Sequence, residues 1–194
     1  MVLVLLQVQE DTLPDRSSRR YINEYFNFDP VANKTEDKVF NCSAILTNEE
    51  FWDSIQEGLY PLLGSNWPII LFEMGSRYGS KVGAQAAKKA LSTEQAIKFL
   101  EMYGLMAGWG KFHTLPIQIS AEKTIDEITV QVEDNFFAKA GNRSKADSPR
   151  CFFVSGLLAG IAEGLFKDHY TCLERKCIAL GADSCEFLVT KRRL

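Results

Sequence analysis

The sequence predicts an α+β domain in which helices pack on an antiparallel sheet that ends in a C-terminal β-hairpin. Three observations carry this. Helix-start signals recur in the first half, where Thr47 with Glu50, and Ser92 with Gln95, stand at the spacing of a capping box. Residues 111–120 and 124–133 are rich in β-branched and aromatic side chains. Residues 170–180 and 185–190 then read as two strands joined by the turn-forming Gly181-Ala182-Asp183-Ser184.

Along the chain, residues 1–37 combine a short apolar run, the polar Asp15-Arg16-Ser17-Ser18-Arg19-Arg20, and an aromatic stretch with Tyr21, Tyr25, Phe26 and Phe28. They predict an N-terminal arm, used for homodimerisation because exposed aromatics of this kind mark interfaces, ahead of one ligand-binding domain over 38–194. Residues 38–46 read as a strand, and the first capping box opens a helix to about Leu63. The apolar run 67–74 ends where Gly75 begins the next element. The second capping box opens a helix to about Ala107. In 124–133, Ile128, Val130 and Val132 alternate once the phase has shifted by one residue after Ile125. The polar, Gly-containing stretch 138–147 reads as a loop over a ligand entrance.

Composition removes several function classes. A net charge of −3 leaves no basic excess for nucleic acid. No apolar run reaches the roughly 18 residues of a transmembrane segment, and the longest, 151–166, is interrupted by Glu163. The apolar start lacks a basic flank and is followed by Glu10 and Asp11, so no secretory signal is read, and five cysteines suit a reducing cytoplasm. Contact with a membrane surface stays open. No dinucleotide or phosphate-binding glycine motif is present, and His113 and His169 assemble with no nucleophile, so an enzyme ranks below a binding module.

Two glycine rows at four-residue steps, Gly75, Gly79, Gly83 and Gly156, Gly160, Gly164, give each of two helices a smooth face. Glycine costs about 1 kcal/mol against alanine in a helix, so backbone must come close to something there, a neighbouring element before a ligand. Aromatics concentrate in the middle of the chain, with Phe72, Trp109, Phe112 and Phe137 among them, as in an apolar small-molecule cavity. Arg77 is a candidate polar fixture for a carboxylate, against the plainer reading of a solvated helix face.

Cys151, Glu174, Cys177 and Cys185 form a credible tetrahedral set for zinc, which accepts sulfur and oxygen together. Cys177 and Cys185 would face each other across the hairpin. Glu174 lies three residues before Cys177, on the opposite face of a regular strand, so a shared metal requires a bulge between them. Ser148 as N-cap and Pro149 at the first position would place Cys151 in the first turn of a helix. Buried, inert thiols remain the alternative.

The segment CFFVSGLLAGIAEGLFKDHYTCLERKCIALGADSCEFLV resembles the 4-vinyl-reductase domain family, with its Gly-rich helix, Glu-x-x-Cys and Gly-x-x-x-Cys hairpin. Leu71-Phe72-Glu73-Met74-Gly75 and Gly108-Trp109-Gly110 look like its earlier landmarks, so the resemblance spans about residues 52–189. It implies the fold shared by phenol-sensing domains and vesicle-tethering subunits, with a structural zinc held by Cys151, Glu174, Cys177 and Cys185. It also implies a cavity between sheet and helices in which a Trp and a His meet the ligand, for which Trp109 and His113 are the candidates. The implied function is a non-catalytic carrier of a hydrophobic small molecule, a tetrapyrrole of the chlorophyll-precursor kind, in pigment delivery or photosystem assembly. The implied partner is then a photosystem or pigment-biosynthesis protein. A protein–protein scaffold, and a vinyl-tetrapyrrole reductase or its accessory subunit, are the alternatives.

Overall fold

A computed structural model describes residues 23, 25–115, 125–140, 149 and 151–192. The arm's first 22 residues, Tyr21 among them, and positions 141–147 of the expected entrance loop lie outside the described residues, while residues 138–140 of that loop are helical. The chain divides into two compact units, Met1–Ile45 and Leu46–Leu194.

In the first unit, β1 (Phe26–Asp29), β2 (Lys34–Asp37) and β3 (Cys42–Ala44) form an antiparallel sheet in that order. The same device makes both turns. Asp29 Oδ1 accepts the amides of Val31 and Ala32, and Asn33 takes a positive φ; Asp37 Oδ1 accepts those of Val39 and Phe40, and Asn41 does the same. Asp opening a turn and Asn in the left-handed region closing it are ordinary turn chemistry. The strand expected over 38–46 is thus only Cys42–Ala44, because residues up to Asn41 are used by the turn.

The second unit begins with α1 (Glu49–Leu63), whose N-cap is Asn48, its Oδ1 accepting the Phe51 amide at 3.0 Å. The expected Thr47 cap is displaced by one residue, since Asn caps at least as well as Thr. Helix α2 (Trp67–Lys89) runs unbroken for 23 residues, so the boundary expected at Gly75 does not exist. Helix α3 (Thr93–Met106) starts at Ser92 as expected, the Ser92 hydroxyl accepting the Gln95 amide and Gln95 Oε1 accepting the Leu91 amide.

Strands β4 (Lys111–Thr114), β5 (Glu127–Glu133), β6 (Tyr170–Lys176) and β7 (Cys185–Lys191) form an antiparallel sheet in the order β4-β5-β7-β6. Alternation sends Ile128, Val130 and Val132 of β5 and Cys185, Phe187 and Val189 of β7 to one face, all buried. Short α4 (Phe136–Ala140) follows β5, and α5 (Phe152–Phe166) covers the buried face. Helix α5 is apolar nearly all round because its other side meets α2.

That helix pair explains the glycine rows. A Cβ built on Gly79 would lie 2.9 Å from the Leu157 carbonyl carbon, and one on Gly160 would lie 2.8 Å from that of Ser76. The rows face each other, each glycine of one helix receiving a backbone carbonyl of the other. Their partner is therefore a helix. Such Cα–H contacts to carbonyl oxygen contribute weakly one by one and need backbones close together.

Candidate functional site

The hairpin and the start of α5 bring four side chains together. The ligand atoms of Cys151, Glu174, Cys177 and Cys185 all lie within 4.8 Å of one another. Cys151 Sγ is 3.9 Å from both Cys177 Sγ and Cys185 Sγ. Four sulfurs around a zinc at about 2.3 Å would be separated by about 3.8 Å, so these thiols already stand at the edge length of such a tetrahedron. They are too far apart for disulfides, and all three are buried thiols.

The expected bulge exists. The β6–β7 register shifts between Glu174 and Lys176, Glu174 pairing with Phe187 and Lys176 with Glu186, which leaves Arg175 as the extra residue. This change of phase returns Glu174 and Cys177 to one side. Glu174 is only 8% exposed; its Oε2 accepts the Cys151 amide at 3.1 Å, and Oε1 is buried with no hydrogen-bond partner. A buried carboxylate oxygen without a partner costs free energy that a cation would recover.

Cys151 is the N-cap residue of α5, which begins at Phe152, not a residue of the first turn. No side chain caps this end; the Glu174 carboxylate instead takes up the Cys151 amide. Pro149 therefore precedes the helix, and Ser148 lies outside the described residues. Two further donors point at sulfur: the fully buried Asn135 gives Nδ2–H to Cys151 at 3.5 Å, and the Ile178 amide approaches Cys185 at 3.4 Å. Without a cation, mutual hydrogen bonds with Cys177 and Cys185, then burial, hold Cys151 well above the ordinary thiol range. Burial, then the neighbouring Cys177, raises Glu174 to about 8. The donor set, its spacing and the orphaned oxygen fit a divalent metal with four protein ligands and no open position. Cys42 is exposed and Cys172 half-buried, and neither joins the cluster.

A second site lies under the helices. An almost wholly apolar cavity of about 70 Å³ is walled by Leu157, Ile161 and Leu165 of α5, Val82 of α2, Ile97 and Leu100 of α3, and Ile128 and Val130 of β5. A single water needs roughly 10–15 Å³, so the space admits a molecule of several heavy atoms. Trp109 and Phe112 line it, and Trp109 makes edge contacts with Tyr78 at 5.8 Å and Tyr103 at 5.9 Å. Gly104 lets the Phe112 ring lie against α3, since a Cβ there would meet ring carbons at 2.7 and 2.8 Å.

The other sequence candidates are placed elsewhere. His113 follows Phe112 on β4 and by alternation faces solvent, 3.9 Å from Glu133. Arg77 is exposed and paired with Glu73 at 2.9 Å. Phe72 is half-buried, and its carbonyl meets Gly156 across the helix seam. Sequence reasoning missed Asn135 and Glu101, the latter a lining residue whose Oε1 accepts the Thr114 amide at 2.6 Å. Its signal was the spacing of Ile97, Leu100, Glu101 and Gly104, one helix face.

An antiparallel sheet covered by glycine-packed helices, with a small apolar cavity beneath them and a cysteine–glutamate cluster at one hairpin, defines an α+β domain with the features of a binding fold. Residues 128–191 match the V4R domain, the 4-vinyl-reductase family that the sequence resembles. No curated protein matches the chain. Among solved structures it is similar to the phenol-responsive sensory domain of the transcription activator PoxR with phenol, at a TM-score of 0.77 and 16% identity, covering 92% of each chain. It is also similar to trafficking protein particle complex subunit 3 from Naegleria fowleri covalently bound to palmitic acid (TM-score 0.52, 14% identity, 75% of this chain and 93% of that one). A third is the H-NOX domain SO2144 of Shewanella oneidensis in its Fe(II)CO state (TM-score 0.52, 15% identity, 79% and 80%). At these identities the likenesses establish the fold. No described helix is long and apolar enough to cross a membrane.

Proposed function

We propose that the chain is a non-catalytic binding module that takes one small hydrophobic molecule into the cavity between α2, α3, α5 and the sheet. The apolar cavity itself carries this reading, supported by the phenol-bound and palmitate-bound neighbours of like fold. Trp109 and Phe112 contact the ligand; His113, Arg77 and Phe72 would reach it only after rearrangement. A tetrapyrrole, and with it pigment delivery, photosystem assembly or vinyl reduction, would need the cavity to widen several-fold, since sites for drug-sized ligands span roughly 300–1,000 Å³. Native mass spectrometry of the purified chain, with thermal shifts against small aromatic and aliphatic compounds, tests the reading. A retained or stabilising compound of fewer than about ten heavy atoms is expected, and stabilisation only by tetrapyrroles would reverse it.

In the same reading Cys151, Glu174, Cys177 and Cys185 hold a structural zinc that fastens the start of α5 to the β6–β7 hairpin. The metal supplies cross-linking and charge balance rather than chemistry, because four protein ligands leave no position for substrate. Elemental analysis should find about one zinc per chain; metal-free protein whose melting is indifferent to a chelator would refute it. Self-association through residues 1–37 draws on Phe28, which is 64% exposed in the first unit. Light scattering should give a dimer for the full chain and a monomer for the domain 38–194; a monomeric full chain refutes this part.

A further inference from the structure

Glu101 is the one acidic residue among those lining the almost wholly apolar cavity, and the described lining contains no Lys, Arg or His. Glu101 stands on α3 in line with Ile97, Leu100 and Gly104, so helical spacing delivers its side chain to the cavity face. Part of its role is structural. β4 is an edge strand; the Leu115 amide bonds Thr129 O on the neighbouring strand, so the preceding Thr114 amide points off the edge, and Glu101 Oε1 accepts it at 2.6 Å. Any acceptor of suitable length would serve for that bond. The Thr114 bond engages only Oε1, and Oε2 is not a buried, unpaired oxygen, so it stays accessible to a further donor.

We infer that Glu101 is the specificity-determining anchor of the cavity, its Oε2 accepting a hydrogen bond from a ligand with a small apolar body and one O–H or N–H donor. The inference rests on the binding reading above and narrows it. An ionised carboxylate only accepts, so the ligand must donate. A ligand carrying its own carboxylate or phosphate meets like charge with no cation in the described lining to offset it. A purely apolar ligand displaces water from Glu101 and returns nothing to it. Among the other polar groups of the lining residues, the Tyr103 hydroxyl is engaged with that of Tyr78 at 3.3 Å, the Thr114 amide with Glu101 itself, the Trp109 indole can only donate, and the Thr114 hydroxyl is a neutral acceptor weaker than a carboxylate.

Calorimetric titration of the full chain with phenol, toluene and benzoate separates donor, shape and charge, because the three are close in size. Phenol should bind at least roughly tenfold more tightly than toluene, and benzoate not measurably. Glu101→Gln keeps an acceptor for Thr114 and offers the ligand an N–H instead; the phenol-to-toluene ratio should fall to a few-fold at most and benzoate binding should appear. Its urea midpoint, compared with that of the native chain, reports whether the Thr114 bond survives. Equal native affinities for phenol and toluene, or a ratio unchanged by Glu101→Gln in a folded variant, overturn the anchor and leave the cavity reading standing. Binding of none of the three by the native chain overturns the cavity reading and the anchor together.

Discussion

Replacing Gly79 by alanine puts one methyl group into the seam between α2 and α5. Its carbon would lie 2.9 Å from the Leu157 carbonyl carbon, where ordinary non-bonded carbons stand about 3.5–4.0 Å apart. The obstacle is backbone, which cannot turn aside as a side chain does, so α5 must retreat by about 1 Å. Alanine returns about 1 kcal/mol of helix propensity. Overpacking costs about 1–3 kcal/mol, and rigid walls on both sides place this case at the upper end, for a net loss of about 2 kcal/mol. Gly58→Ala is the control: Gly58 is exposed in α1 and a methyl group added there would have nothing within 4 Å, so the same substitution should stabilise by about 0.5–1 kcal/mol. Urea unfolding with a common m-value measures both. A Gly79→Ala midpoint at or above the native one, with Gly58→Ala raised as expected, refutes the reasoning. Because Leu157 also walls the cavity, Gly79→Ala should weaken ligand binding as well.

Cys185→Ser should lower bound zinc to well under one per chain and lower the melting temperature; zinc content and stability both unchanged would remove Cys185 from the metal set. The pH dependence should differ in sign with metal content. In the metal-free protein burial holds the Glu174 carboxyl at about 8 rather than the ordinary 4.5, so its contribution is full below 4.5 and is lost as pH rises through 8. In the loaded protein the ligands must be deprotonated, so metal-linked stability falls as pH drops. Melting curves at pH 5 and pH 8, with and without zinc, check this, and parallel trends would contradict it. Gly104→Ala should press the Phe112 ring into the cavity and weaken ligand binding at least roughly tenfold, with an unfolding midpoint shifted by less than that of Gly79→Ala; full binding retained would show that the ring has another place to go.

The cysteine–glutamate cluster is largely legible in the sequence because few side chains bind soft metals and the turn at Gly181 fixes which strands return. Even the bulge is readable: Glu174 and Cys177 cannot share a side of a regular strand, and Arg175 is the residue left over. Asn135 is not, since a single Asn between a strand and a helix carries no sign that its amide will meet a sulfur. Gly75 misleads in one respect. Glycine is a poor helix former, so it reads as a boundary, but the close approach of α5 outweighs its propensity and α2 runs through it. The first unit reads as an arm although Asp29, Asn33, Asp37 and Asn41 are its turn residues; the strands between them are too short to show a period. For His113, the neighbours decide: Phe112 and Thr114 occupy the cavity side, so the residue between them faces out.

The bare seam between α2 and α5 limits how these helices can move. Each glycine sits opposite a carbonyl, so sliding one helix by a single residue would drive a side chain into a backbone oxygen, and the next permitted alignment lies four residues, about 6 Å, away. The pair is therefore indexed like a key in its wards and travels as one piece. Helix α3 meets the cavity through side chains instead, Ile97 and Leu100 in its wall, the Phe112 ring beside Gly104, and the bonds of Glu101 to the sheet edge and of Tyr103 to Tyr78. A guest in the cavity would therefore meet its rigid wall at α2 and α5 and its more yielding wall at α3.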